Sequence, residues 1–217
     1  MSLISGLFML MSGLLTHNVL KSYSNIYVAL DYKDKHETIG HVNCFLYQLY
    51  IIYMCLSSTT ANEYIQVSYL FASFMFFDII HYIFYIRRIS SYLHHIITIL
   101  GIVYVNSEYA SIDTLEIFNH LLILVESTNP PMSISWIGNK FGYKDYILYK
   151  IFGTFTFLHW SFIRIIYLSY YIYNTPNFNN QITMIPFLAL NLFWFKSLVQ
   201  VYLKVIFKAT KNNNLKN

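Results

Sequence analysis

The sequence contains unusually few charged side chains. Of its 217 residues, 14 are Lys or Arg and 10 are Asp or Glu, which together make 11%, against roughly 25% in an average soluble domain. Hydrophobic residues make up 56% of the chain, and aromatic residues alone make up 19%. Because so few charges cannot cover a water-soluble fold of this size, the composition argues against soluble enzymes and disordered chains. It indicates a multi-pass membrane protein.

Several patterns that would point to other functions are missing. No Lys/Arg cluster forms a nucleic-acid footprint, so we expect no nucleic-acid partner. Cys44 and Cys55 lie eleven positions apart on one apolar segment, about 16 Å along a helix, which is too far for a disulfide. The eight histidines include one adjacent pair and no His-x-x-x-His, so a histidine-box iron enzyme is not indicated. We therefore predict two reduced thiols and no metal site.

Seven apolar runs divide the chain. They cover residues 3–20, 41–57, 64–86, 92–106, 111–128, 146–172 and 182–207. A membrane-spanning helix needs about 20 predominantly apolar residues, so the runs predict an all-α, multi-pass transmembrane helix bundle with six to seven spans. The range reflects the run at 3–20, which we interpret as a span. The run at 92–106 is short and must use flanking residues.

The loop charges predict how the bundle is oriented. Loops that carry Lys or Arg alternate without exception with loops that carry neither. The basic segments hold Lys21, Lys33 and Lys35, then Arg87 and Arg88, then Lys140 and Lys144, and finally Lys208, Lys211 and Lys216. The positive-inside rule then places the N-terminus outside and the C-terminus in the cytosol.

With this orientation, ionisable side chains from four spans gather in the cytosolic half of the bundle. They are His41, Asp78, His81, His94, His95 and Glu126. Such groups cost about 2.5–3.5 kcal/mol each in a bilayer and usually face the bundle interior. The cluster therefore predicts a functional site, although any one residue near the interface is also compatible with an ordinary interfacial role.

Two further charged residues have a structural interpretation. Asp78 lies deeper than the other members of the cluster, so a buried salt bridge is its alternative role, and Lys196 is a candidate partner at a similar depth. Arg164 lies near the outer face, where we expect its side chain to extend to the membrane surface.

The adjacent histidines suggest acid–base or acyl-transfer chemistry. One imidazole can take a proton from a nucleophile or become acylated, while its neighbour or a carboxylate fixes the tautomer. A retinal protein is a further alternative, because seven spans, Asp78 in the third and Lys196 in the last match its outline. Leu192 occupies the position four residues before Lys196 where an acidic residue is expected.

Two segments resemble the TLC domain, which occurs in ceramide synthases and in smaller TLC-domain-containing proteins. The run FFDIIHYIFYIRRISSYLHHIITILGIVY carries an Asp late in one span and His-His-x-x-Thr opening the next, here Asp78, His94, His95 and Thr98. The run LVESTNPPMSISWI resembles the Glu-x-Ser-x-Pro…Trp region of the smaller members, and includes Glu126. His41 is similar to a His near the start of the domain.

The resemblance covers roughly residues 40–205 and implies a TLC-type bundle around a lipid-sized cavity. It divides the chain into an N-terminal span and cytosolic loop at 1–38, the transmembrane domain at 39–207 and a polar tail at 208–217. It implies His94, His95 and Asp78 as catalytic candidates, with His41, His81, Thr98 and Glu126 as lipid- or substrate-binding candidates. Membrane lipids are the implied partners and the endoplasmic reticulum the implied location. The oligomeric state stays open.

Two functions follow from the resemblance. The first is a protein that binds or handles membrane lipids and influences lipid composition, without cofactor. The second is a ceramide-synthase-like acyltransferase that uses His94 and His95, with acyl-CoA as substrate. Ceramide synthases continue with a His-Asp step and another Asp three residues later, where this chain has Leu121 and Leu124 after His120. These departures favour the first function.

Overall fold

The computed structural model describes residues 3–86, 89–108, 112–174 and 178–214. Within these ranges the chain is helical and contains no β-strand, which confirms the all-α prediction. The helices are α1 (Leu3–Tyr23), α2 (Asn25–Ala29), α3 (Tyr32–Ser57), α4 (Ala61–His81), α5 (Ile89–Glu108), α6 (Ile112–Glu126), α7 (Asn129–Lys140), α8 (Ile147–Ser161), α9 (Leu168–Asn174) and α10 (Phe178–Asn214). Two π-helical turns, Tyr82–Ile86 and Phe162–Tyr167, continue α4 and α8, and a 3₁₀ turn covers Tyr143–Asp145.

Each predicted apolar run lies on a helix, and local capping fixes some of the boundaries. Asp31 caps α3, its side chain accepting a hydrogen bond from the Asp34 amide at 2.7 Å. Thr60 and Glu63 form a reciprocal capping box at the start of α4. Such side chains satisfy backbone N–H groups that have no partner inside the helix.

Polar helical segments were not predicted. α3 begins at Tyr32, nine residues before the apolar run that predicted it, and α2 lies in the segment expected to be a loop. The chain does break after Glu126, but α7 follows at once, with Pro130 and Pro131 in its first turn. Proline is well tolerated there because the first-turn N–H groups have no helical acceptor.

Four helical segments are long and apolar enough to cross a membrane: Tyr32–Ser57, Ala61–Tyr85, Ile147–Asn174 and Met184–Leu203. Ser91–Asn106 is a shorter apolar helix. These segments support the prediction of a multi-pass membrane protein. The full count of six to seven spans, and the orientation, stay predictions.

The chain forms two compact units, Met1–Tyr149 and Lys150–Asn217. The core of the first unit lies between α3, α4, α5 and α6. Tyr47 stacks on Phe74 with ring centroids 4.3 Å apart, and Ile51 and Phe71 are fully buried beside them. Cys55 belongs to this core, and both cysteines are free thiols, as predicted. This packing holds α3 and α4 side by side.

In the second unit, the continuous helical segment from α8 to α9 packs on α10 through aromatic rings. Phe157 stacks on Tyr202 at 4.3 Å between centroids. Arg164, on the π-helical turn, is 1% exposed, donates to Asn191 Oδ1 at 3.3 Å and lies 5.8 Å from the Trp160 ring centroid. The prediction that Arg164 extends to the membrane surface is therefore wrong, because an amide acceptor and an aromatic face bind the guanidinium group inside the protein.

Candidate functional site

The centre of the candidate site is an ion pair between two neighbouring helices. His95 Nε2 on α5 lies 2.8 Å from Asp78 Oδ2 on α4, and the two side chains are 9% and 17% exposed. The other ring nitrogen of His95, Nδ1, lies against the Met75 sulfur one turn earlier on α4. Protein atoms thus contact both nitrogens of His95. Asp78 has an imidazole partner in place of the Lys196 ammonium group considered from the sequence.

His94 lies next to this pair and is equally buried. Its side chain is 5% exposed, and the His94 and His95 ring centroids are 5.3 Å apart. Thr98, one turn later on α5, donates its hydroxyl to the His94 carbonyl oxygen at 2.8 Å. The structure therefore brings Asp78, His94 and His95 together, while the Thr98 hydroxyl bonds to the backbone of its own helix.

Glu126 belongs to a second polar group deeper in the first unit. It is 1% exposed and ends α6. Its Oε2 atom accepts hydrogen bonds from Gln48 Nε2 on α3 at 2.7 Å and from Asn129 Nδ2 on α7 at 2.5 Å. Three helices thus meet at one buried carboxylate, which fixes the sharp connection between α6 and α7.

His41 contacts α7. Its ring stacks on Trp136 with centroids 4.4 Å apart, and its Nδ1 lies 3.2 Å from the Ser133 hydroxyl. One turn further along α7, Lys140 pairs with Asp34 at 2.5 Å and lies 5.3 Å from the Trp136 ring centroid. These contacts attach α7 along the first half of α3.

His81 packs against the same half of α3, on another face. A Cβ atom placed on Gly40 would lie 3.6 Å from the His81 ring, an ordinary van der Waals distance, so the ring packs directly against this position of α3. The His81 ring centroid is 5.8 Å from that of His36 and 5.1 Å from that of Tyr85. His81 is thus part of a separate group of rings.

The antiparallel pairing of α3 and α4 gives the relative depths of these groups. Tyr47 is opposite Phe74, and Gly40 is opposite His81. With a rise of 1.5 Å per residue, Gln48 lies about 7 Å deeper in the first unit than Asp78. Tyr85 lies about 10 Å from Asp78 in the opposite direction, toward the start of α3. The candidate residues are therefore arranged in three successive levels along one end of the first unit.

The central level consists of Asp78, His94 and His95, and Asp78 orients the His95 imidazole. A carboxylate that accepts from one ring nitrogen fixes the tautomer of the ring, which suits binding of a polar group or proton transfer. Among the described residues, no group of three or more His, Cys, Asp or Glu side chains is arranged to hold a metal ion. The chemistry available here is hydrogen bonding and acid–base chemistry.

Sequence reasoning missed several polar residues that complete these groups. Gln48 and Asn119 are almost fully buried, at 0% and 1% exposure, and Cys55 donates to Asn119 Oδ1 at 3.6 Å. His36 was assigned no role but lies in the ring group of His81. The useful signal was a neutral amide inside an apolar run, because a buried amide must find a hydrogen-bonding partner.

The comparisons with known proteins give one relative. The chain is 29% identical over 189 residues to a protein of Dictyostelium discoideum named "TLC domain-containing protein 4 A". The match covers 77% of this chain and 72% of the relative. No family model matches the chain, and no solved structure matches it either.

Proposed function

We propose that this chain, which is 29% identical to a TLC-domain-containing protein, belongs to the TLC-domain family, binds and handles membrane lipids and so influences membrane lipid composition. The observation that carries the proposal is the buried ion pair between Asp78 and His95. Four apolar helical segments support a location in a membrane, where lipids are the abundant ligands that combine a polar end with apolar chains.

The central level suits the polar end of a lipid. Asp78 and the two imidazoles can bind hydroxyl, amide or ester groups by charge-assisted hydrogen bonds, which are stronger away from water. A pair of this kind is costly to keep inside a membrane protein unless it has a role, which supports binding over packing alone.

The test is lipid mass spectrometry of cells that express the protein. We expect the wild type to change the lipid composition relative to an empty vector, and Asp78→Asn to abolish the change at equal protein level. The substitution keeps the shape of the side chain but removes the charge that holds His95. The exposed His120 on α6 offers a matched control, and His120→Gln should behave as wild type. A wild-type profile identical to that of the vector would refute the proposal.

The contacts of His95 also favour a second candidate function, acyl transfer. Protein atoms contact both nitrogens of His95, so His94 is the reacting imidazole in acyl transfer. Asp78 is a positioning residue, because it acts through His95. His94 takes the proton from an acceptor hydroxyl or amine, which attacks the thioester carbonyl of acyl-CoA. The C–S bond breaks, and the thiolate leaving group takes the proton from His94.

This second function is distinguished by its products. Purified protein incubated with acyl-CoA and membrane lipids should release free CoA in a one-to-one ratio with newly acylated lipid, and His94→Ala should stop both. If CoA release is absent while cells still show the change in lipid composition, the protein handles lipids without this reaction. The endoplasmic reticulum is the proposed membrane, and co-fractionation with a marker of that organelle tests it.

A further inference from the structure

A second cluster of chemically active side chains lies at one end of the first unit. It consists of His36 and Tyr32 on α3, His81 at the end of α4, and Tyr85 on the following π-helical turn. The His36 ring stacks on Tyr85 with centroids 4.1 Å apart and planes 10° from parallel. The His36 and Tyr32 ring centroids are 4.4 Å apart. His81 completes the group at 5.8 Å from His36.

The side chains of this cluster are partly exposed. The two imidazoles are half-buried, and Tyr85 is 41% exposed. In the described part of the chain, no hydrogen bond joins a side chain to the ring nitrogens of His36 or His81. Because aromatic rings contact the flat face of His36, its N–H group, which lies in the ring plane, is directed out of the stack.

Both acidic and basic side chains lie near the cluster. Two of the nearby carboxylates are already bound: Asp34 pairs with Lys140, and Asp78 pairs with His95. Lys33 and Lys35 lie within one turn of His36 on α3 and add positive charge at this end of the helix. Of the remaining carboxylates on this stretch, Asp31 caps α3 and Glu37 is buried.

We propose that His36, His81 and Tyr85 bind the phosphate group of a membrane phospholipid. Two imidazole N–H groups and one phenol O–H can donate to three different phosphate oxygens. Tyr85 lies about 10 Å from the level of Asp78 by helical rise, so a lipid held by its phosphate directs its glycerol and chains toward the central level. The proposal rests on the proposed function only in taking a lipid as the ligand.

The experiment measures lipid binding to the purified full-length protein in non-ionic detergent by native mass spectrometry. The probes are dioctanoyl phosphatidic acid, dioctanoylglycerol, which has the same chains without the phosphate, and inorganic phosphate. The variants are His36→Gln with His81→Gln, and Tyr85→Phe, which removes only a hydroxyl and keeps the stacked ring. The control is His120→Gln.

We expect phosphatidic acid to bind at least tenfold more tightly than dioctanoylglycerol. The double His variant should weaken phosphatidic acid binding about tenfold or more, and Tyr85→Phe should weaken it severalfold, as expected for hydrogen bonds to a charged group. Dioctanoylglycerol binding should be the same in every variant, and His120→Gln should match the wild type.

Three results would overturn the proposal, and they differ in what else they affect. Equal binding of the two lipids, unchanged in Tyr85→Phe, rules out a phosphate site and leaves lipid handling intact. Inorganic phosphate that binds as tightly as phosphatidic acid assigns the cluster to soluble phosphate esters. Failure of both lipids to bind the wild type refutes the phosphate site and the proposed function together.

Discussion

The buried hydrogen bond between Gln48 and Glu126 makes a quantitative prediction about stability. Gln48 and Glu126 are 0% and 1% exposed, and Gln48 Nε2 lies 2.7 Å from Glu126 Oε2. Replacing Gln48 with Met keeps a similar volume but removes one of two side-chain donors to the carboxylate. Replacing Glu126 with Met leaves the Gln48 and Asn129 amides without their acceptor. Each single substitution therefore removes a hydrogen bond from a buried polar group.

The expected magnitude follows from this geometry. Hydrogen bonds to charged groups contribute about 1.5–3 kcal/mol, whereas interhelical hydrogen bonds measured in a membrane protein reach about 1.7 kcal/mol. We expect each single substitution to lower the free energy of unfolding by about 2 kcal/mol. The double variant should lose about 1.5 kcal/mol less than the sum of the two, because it leaves neither of these two partners unsatisfied.

The assay is unfolding by sodium dodecyl sulfate in mixed micelles, followed by circular dichroism of the helices. The exposed Gln66 on α4 provides the control, since Gln66→Met combined with Glu126→Met should be additive within about 0.5 kcal/mol. A coupling energy below about 0.5 kcal/mol between the Gln48 and Glu126 substitutions would refute the reasoning that this carboxylate joins the helices.

Two further substitutions test other packing contacts. Gly138→Ala should destabilise the protein by about 1–3 kcal/mol, because the new Cβ would lie 2.8 Å from the Tyr149 ring. The control Gly101→Ala, whose Cβ would have no atom within 4 Å, should be neutral or stabilising in thermal unfolding. Equal effects of the two substitutions would contradict this packing. Arg164→Met should lower the free energy of unfolding by about 1–3 kcal/mol by removing the donor to Asn191, and an unchanged denaturation midpoint would contradict the buried position of this guanidinium group.

Most of the helices could be predicted from the sequence, because long apolar runs have one stable conformation in a bilayer, where every backbone polar group must bond within its own segment. The polar helix α7 and the start of α3 carry no such signal. Their positions depend on particular contacts between them, such as the stack of His41 on Trp136 and the pair of Asp34 with Lys140. Composition alone does not reveal contacts of this kind.

The proximity of Asp78, His94 and His95 was predictable from the sequence, whereas their pairing was not. The spacing of Asp78 and the two following histidines placed them at one end of adjacent spans, but only the helix packing determines that His95 is the ring that meets the carboxylate. The partner of Arg164 was likewise not predictable from its position in the sequence. Its depth suggested a side chain at the membrane surface, whereas a neighbouring helix offers Asn191 as an interior acceptor.

The π-helical turn Tyr82–Ile86 has a consequence for how this chain tolerates insertions and deletions. A π-helical turn contains one residue more than the regular turn it replaces. Deleting one residue there would restore ordinary winding and leave the helix beyond the turn on nearly the same face, because the turn already accommodates one extra residue. The same deletion in a regular stretch of α4 would rotate everything beyond it by about 100°. A one-residue deletion is thus tolerated better in this turn than elsewhere along α4, although it would shift the Tyr85 ring relative to His36.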